Sequence, residues 1–204
     1  MEKTAKPIQA RSQKTRENIL KAALSMYAKK GYYKTTVDDI AEEAGVSTGI
    51  AYRYFRNKKD LLLSVISYGA DNIESMVSID KISELNEITD LRQYLEIALK
   101  NFEIFHIRYR GIHEELEGLK HTDEDVRKLY CEISNVKIED LSRKLSALIK
   151  DDAYIREKTY SAVNIMEQHC HMLMNNDLYN LDSDAVRSLT INAVLLSLNK
   201  KNNL

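Results

Sequence analysis

Past Pro7, this chain of 204 residues contains no proline. Proline interrupts helices more reliably than any other residue, because it lacks the amide donor and its ring clashes with the preceding turn. A sequence free of it over almost its whole length has few forced breaks and favours long helices. Six glycines add little punctuation. No run of alternating β-branched residues and no internal repeat stands against that reading. The expectation is an all-α protein of about nine helices.

Apolar spacing places the elements. Residues 1–11 lack a helical stripe and read as a flexible basic arm. Ile19, Leu20, Ala23, Leu24, Tyr27 and Ala28 share one helical face. That helix ends at Lys29-Lys30-Gly31, with cations on the last turn and a glycine suited to the left-handed cap. Thr36, with Asp39 three residues on, resembles a capping box and opens a short helix through Ile40, Ala41 and Ala44. Ser47 caps another, holding Ile50, Ala51, Tyr54 and Phe55. Asn57 to Asp60 opens a longer one whose apolar pattern runs over 61–77. Later stripes run from Leu91 to Phe105 and from Val126 to Leu148. Two more helices are expected over about 153–176 and 183–199. The segments Ser78–Thr89 and Gly111–Thr122 are ambiguous and leave room for short helices.

Charged residues make up 30% of the chain and hydrophobic ones 44%, enough for a packed core. The net charge of −1 hides an asymmetry. Residues 1–60 hold 13 Lys and Arg against 7 Asp and Glu, whereas residues 61–204 hold 17 against 24. A basic head on an acidic body suggests that the head meets a polyanion. Cys131 and Cys170 have no paired spacing, which argues against a disulfide framework or structural zinc and for a reducing cytosol. The polar N-terminus lacks a signal-peptide core, and no apolar run approaches bilayer length. A cytoplasmic protein without a membrane partner is expected, divided at about residue 60 into a reader domain (1–60) and a helical body (61–204).

Residues 36–55 carry the function. Two short helices separated by Gly45-Val46-Ser47 have the length and turn of a helix-turn-helix. Ala41 is small where the second helix must cross closely. Gly45 can take positive φ without steric cost. Val46 can plug the angle between the helices, and Ser47 can bond the free amides of the second. Ser47, Thr48 and Gly49 are small enough to let that helix start near the floor of a major groove. Tyr52, Arg53 and Tyr54 follow with donors for phosphates or base edges. Lys58 stands on the first turn of the next helix, where the dipole and its ammonium both attract phosphate.

The stretch from Gly31-Tyr32-Tyr33-Lys34 through Ala44-Gly45-Val46-Ser47 to Tyr52-Arg53-Tyr54-Phe55 and Lys58-Lys59-Asp60-Leu61 resembles the DNA-binding signature of the TetR family of repressors. The resemblance covers about residues 13–62; beyond it only length and helicity agree. Ala51 stands where a larger aliphatic residue is commoner, with slightly looser packing expected. The resemblance implies three reader helices and six behind them. By position it implies DNA contacts from Thr36, Ser47, Thr48, Gly49, Tyr52, Tyr54 and Lys58; Arg53 joins them on chemical grounds. Thr36 and Ser47 are caps with or without DNA, and Tyr54 is partly a core candidate. Tyr52 and Lys58 are assigned to phosphate, and Thr48, Gly49 and Arg53 to bases.

The resemblance also implies a homodimer through the last two helices on a palindromic operator, released by a small-molecule effector. Tyr160, Val163, Met166, Cys170 and Leu173 stripe one of these helices; Ala185, Leu189, Ala193 and Leu196 stripe the other. Phe102, Phe105, His106, Tyr109, Tyr130, Met166 and His169 are candidates to line an effector pocket, although such stripes are more often plain core. His169-Cys170-His171-Met172 invites a metal. Neighbours on a helix point about 100° apart, so the four cannot grip one ion together. No metal and no cofactor is assigned. Two rival readings are a regulator that answers to a protein partner and a helical enzyme with a basic substrate-binding end. Against the enzyme, the chain offers no nucleophile-base pairing and no Gly-rich phosphate loop.

Overall fold

The computed structural model describes residues 5–77, 79–85, 88–149, 153–174 and 180–198. Among these there are nine α-helices, one 3₁₀ segment and no strand. The helices are α1 (Ala5–Lys30), α2 (Val37–Glu43), α3 (Thr48–Tyr54), α4 (Lys58–Val77), α5 (Ile88–Arg108), α6 (Arg110–Thr122), α7 (Glu124–Ile149), α8 (Ile155–Met174) and α9 (Ser183–Ser197). The 3₁₀ segment, Ile79–Glu84, and α6 occupy the two ambiguous stretches. The expected ends of the last two helices, 175–176 and 199, lie outside the described residues, as do 1–4 of the arm.

Helix α1 starts earlier than the apolar stripe, and takes in residues 5–11 that the sequence assigns to a flexible arm. Residues 9–18 are mostly exposed, so no buried face announces that stretch. Pro7 sits in the first turn, where the amide it lacks would have had no helical partner in any case.

The chain divides into two units. The first comprises Met1–Asp71 together with Tyr109–Leu129, so it is built from two stretches of chain. This differs from a single cut near residue 60. Here α1 packs against α2, α3 and α6. Ile19, Ala23, Tyr27, Ile40 and Ala51 are fully buried, and Ile112, Leu116 and Leu119 bury one face of α6. Ala51 therefore lies in the core. A Cβ on Gly111 would stand 2.7 Å from the Ala28 carbonyl oxygen, so α6 meets the last turns of α1 at a distance only glycine permits. At the end of α1, Gly31 takes φ +79°, and the Tyr32 amide donates to the Glu115 carboxylate. The expected left-handed cap is present and is sealed from α6.

The second unit comprises Asn72–Arg108 and Tyr130–Leu204. In it α5, α8 and α9 pack on one another around Leu91, Leu95, Leu99, Ala162, Cys170, Ile191 and Val194. A charged group lies inside this apolar setting. Glu103 accepts two parallel hydrogen bonds from Arg187, at 2.7 and 2.8 Å, and one contact of 2.7 Å from His169 Nε2. Thr190 Oγ1 lies 3.0 Å from His169 Nδ1. Burial pushes the Glu103 carboxyl up, but the His169 and Arg187 contacts outweigh it and hold the group below its ordinary value. Among the described residues no helix is long and apolar enough to cross a membrane.

Candidate nucleic-acid interface

The interface candidate is built from three helix starts. At the first, Thr36 is extended and its hydroxyl accepts from the Asp39 amide at 3.1 Å, while the Thr36 amide donates to the Asp39 carboxylate at 2.8 Å. This is the reciprocal box expected from the spacing, and two otherwise orphaned amides are satisfied by it. The hydrogen bond from the Thr36 backbone, then that from its hydroxyl, then Lys30, hold the Asp39 carboxyl at about 2.

Between α2 and α3 the chain turns at Gly45 with φ +66°, as the tight turn requires. The Val46 amide returns to the Ala41 carbonyl at 3.0 Å. Ser47 is extended and receives the Ile50 amide at 3.4 Å, a long capping bond. Ala51 and Phe55 turn inward, whereas Gly49, Tyr52 and Arg53 are exposed. A Cβ on Gly49 would meet nothing within 4 Å, so the protein itself does not demand glycine there. Thr48 donates its hydroxyl proton to Asp38 at 2.5 Å, tying the start of α3 back to α2.

Tyr54 is half-buried, and its hydroxyl lies 3.1 Å from that of Ser12, linking α3 to α1. Its first role is to hold the reader helix. Arg16 assists, with its guanidinium 5.3 Å from the centre of the Phe55 ring.

Lys58 is the first residue of α4. Its ammonium donates to the Tyr33 carbonyl at 3.2 Å and stands 4.4 Å from the centre of the Tyr32 ring. Burial moves its pKa down, with Glu115 opposing. An ammonium has three donors, so the Tyr33 carbonyl leaves two for other acceptors. The neighbouring Tyr33 ring is 66% exposed. The sequence reading placed Tyr33 in the signature stretch but not among the contact residues; its exposure beside a cationic helix start makes it a further candidate.

The eight candidate residues thus all lie in one unit, on or next to α2, α3 and the start of α4. The effector candidates are less coherent. Phe102, Phe105, His106, Met166 and His169 lie on α5 and α8; Phe102 and His106 are edge to face at 4.2 Å, and Phe102 and Met166 pack on the apolar core. His169 is engaged by Glu103. Tyr130 lies on α7 and is half-buried, and Tyr109 belongs to the first unit.

Residues 19–65 match the family model described as bacterial regulatory proteins, tetR family. The chain is 22% identical over 187 residues to YerO, an uncharacterised HTH-type transcriptional regulator of Bacillus subtilis, a match covering 86% of this chain and 62% of that protein. It is 36% identical over 87 residues to the transcriptional activator FasR of Mycolicibacterium smegmatis, covering 43% of this chain and 38% of FasR. The matches therefore span less than two thirds of either relative. Among solved structures it is similar to a TetR-family regulator from Rhodococcus, with a TM-score of 0.73 at 19% identity, covering 91% of this chain and 99% of that one.

Proposed function

Its DNA-binding domain makes the chain a member of the TetR family of transcriptional regulators, and on that premise we propose that it is a ligand-released repressor acting as a homodimer on a palindromic operator. The observation that carries this reading is the start of α3: a small, exposed helix N-terminus, followed by exposed Tyr52 and Arg53 and flanked by Lys58. Those are the parts a recognition helix needs to sit in a major groove, with base-reading groups at its tip and phosphate donors at its sides.

Thr48 sharpens the prediction. A hydroxyl has one proton, and that of Thr48 is given to Asp38. Toward a groove it offers lone pairs alone. It would therefore accept from adenine N6 or cytosine N4, which present donors in the major groove. Gly49 supplies close approach, Arg53 a donor for bases, and Thr36, Ser47, Tyr52, Tyr54 and Lys58 backbone contacts.

The dimer reading rests on α8 and α9. Tyr160 is 59% exposed, Leu189 67% and Leu196 63%, whereas Cys170 is buried. The stripe drawn on α8 thus splits: residues ten apart on a helix point about 80° from each other. The exposed members fit an isologous pairing of two copies. The effector would act by linkage, lowering DNA affinity by the ratio of its affinities for the competing conformations. Helix α4 runs unbroken from the first unit into the second, so its tilt is the lever.

Selection from random duplexes tests the proposal. An enriched inverted repeat with two equal half-sites is expected; failure to enrich any duplex would sink it. The partner-protein reading is separated by a thermal screen, since a small effector stabilises the folded chain by mass action. The proteins this chain resembles are regulators of transcription, which sets the enzyme reading aside.

A further inference from the structure

We propose that the second unit binds a divalent transition-metal ion between His106 of α5 and Glu167 and His171 of α8. One ligand atom from each of these residues lies within 4.8 Å of the others. His106 Nε2 is 3.5 Å from Glu167 Oε1, and His171 Nε2 is 3.8 Å from the same oxygen. A charge-assisted hydrogen bond would close to about 2.7–2.9 Å. Ligands around a tetrahedral ion at about 2.0–2.1 Å stand roughly 3.3 Å from each other. The 3.5 and 3.8 Å separations lie nearer that spacing than the length of a tight ion pair. The same two helices supply the contrast: His169 and Glu103 pair directly at 2.7 Å.

Tautomer and placement agree. His106 is 3% exposed, and its Nδ1 lies 2.9 Å from the Phe102 carbonyl oxygen. A carbonyl only accepts, so Nδ1 carries a proton, and Nε2 is the ring nitrogen left on the Glu167 side to coordinate an ion. Fixing one ring nitrogen on a backbone carbonyl is how metal-binding histidines are oriented. Glu167 and His171 are four apart, hence on one face of α8. Their side chains are 32% and 25% exposed, which leaves an entry path. Two imidazoles and a carboxylate suit zinc and neighbouring first-row ions, and magnesium or calcium poorly. Reasoning along the run 169–172 missed this, because the donors come from two helices 61 residues apart.

The proposal stands apart from the DNA reading and is tested without DNA. The untagged full-length chain is stripped with a chelator and titrated with zinc against a chromophoric competitor, then with cobalt for visible ligand-field bands. One ion per chain is expected. Glu167→Gln and His171→Ala, checked for unchanged helicity by circular dichroism, should each weaken zinc at least about tenfold. His121→Ala and Cys131→Ser, altering exposed residues elsewhere, should not. Failure of the parent chain to take up an equimolar ion, or equal affinity in parent, Glu167→Gln and His171→Ala, would overturn it.

Discussion

The phosphate role proposed for Lys58 would be the second purpose of a side chain already engaged in the fold. Its ammonium holds the Tyr33 carbonyl and covers the Tyr32 ring, so it is fixed before any phosphate arrives. Lys58→Ala should weaken all duplexes by about the same factor and reduce the slope of log affinity against log salt by about one; a salt titration on two unrelated duplexes measures both. Asp39 gives a pH prediction. Its folded value of about 2 lies below the roughly 3.9 of an unfolded aspartate. Its contribution is therefore complete above about pH 4 and is lost as pH falls through about 2. Carbon NMR of the Asp39 carboxyl should give a midpoint near 2, and Thr36→Ala should raise it. Caps of this kind were legible in the sequence, because a Thr and an Asp three apart act within one turn. The Thr48–Asp38 bond was not, since it depends on where the turn at Gly45 aims α3.

Helix α6 is an element the sequence left open. Its apolar positions Ile112, Leu116 and Leu119 keep helical spacing, yet charged residues surround them and its contacts with α1 are distant in the chain. Two glycines on it make opposite predictions. A Cβ at Gly111 meets the Ala28 carbonyl at 2.7 Å, whereas one at Gly118 meets nothing within 4 Å. Gly111→Ala should destabilise by about 1–3 kcal/mol through forced separation of the helices. Gly118→Ala should stabilise by about 0.4–1 kcal/mol, because the unfolded chain loses freedom. Urea unfolding of the two variants should move the midpoint in opposite directions. The helices with long apolar stripes, α4, α5 and α7 to α9, were legible for the converse reason: each buries a face wide enough to impose period on the sequence. Residues 9–14 of α1, by contrast, are all exposed and impose no such period.

At the scale of the whole molecule, the proposed dimer turns on the exposed leucines of α9. Leu189 and Leu196 are seven apart, on one face and in the open. Placing Asp at both should halve the mass seen by analytical ultracentrifugation and abolish tight binding to a two-half-site duplex, with helicity retained. The division of the chain was the part least legible in sequence, because it follows from which helices touch rather than from composition. It has a consequence for exchanging readers between relatives. The first unit is discontinuous, with α6 returning to it from residues 109–129. A chimera spliced once, after the reader helices, would seat a foreign α1 against a native α6 and mismatch Gly31 with Glu115 and Gly111 with Ala28. Grafting a new sequence preference onto this body therefore calls for two crossovers, so that α6 travels with the helix it seals.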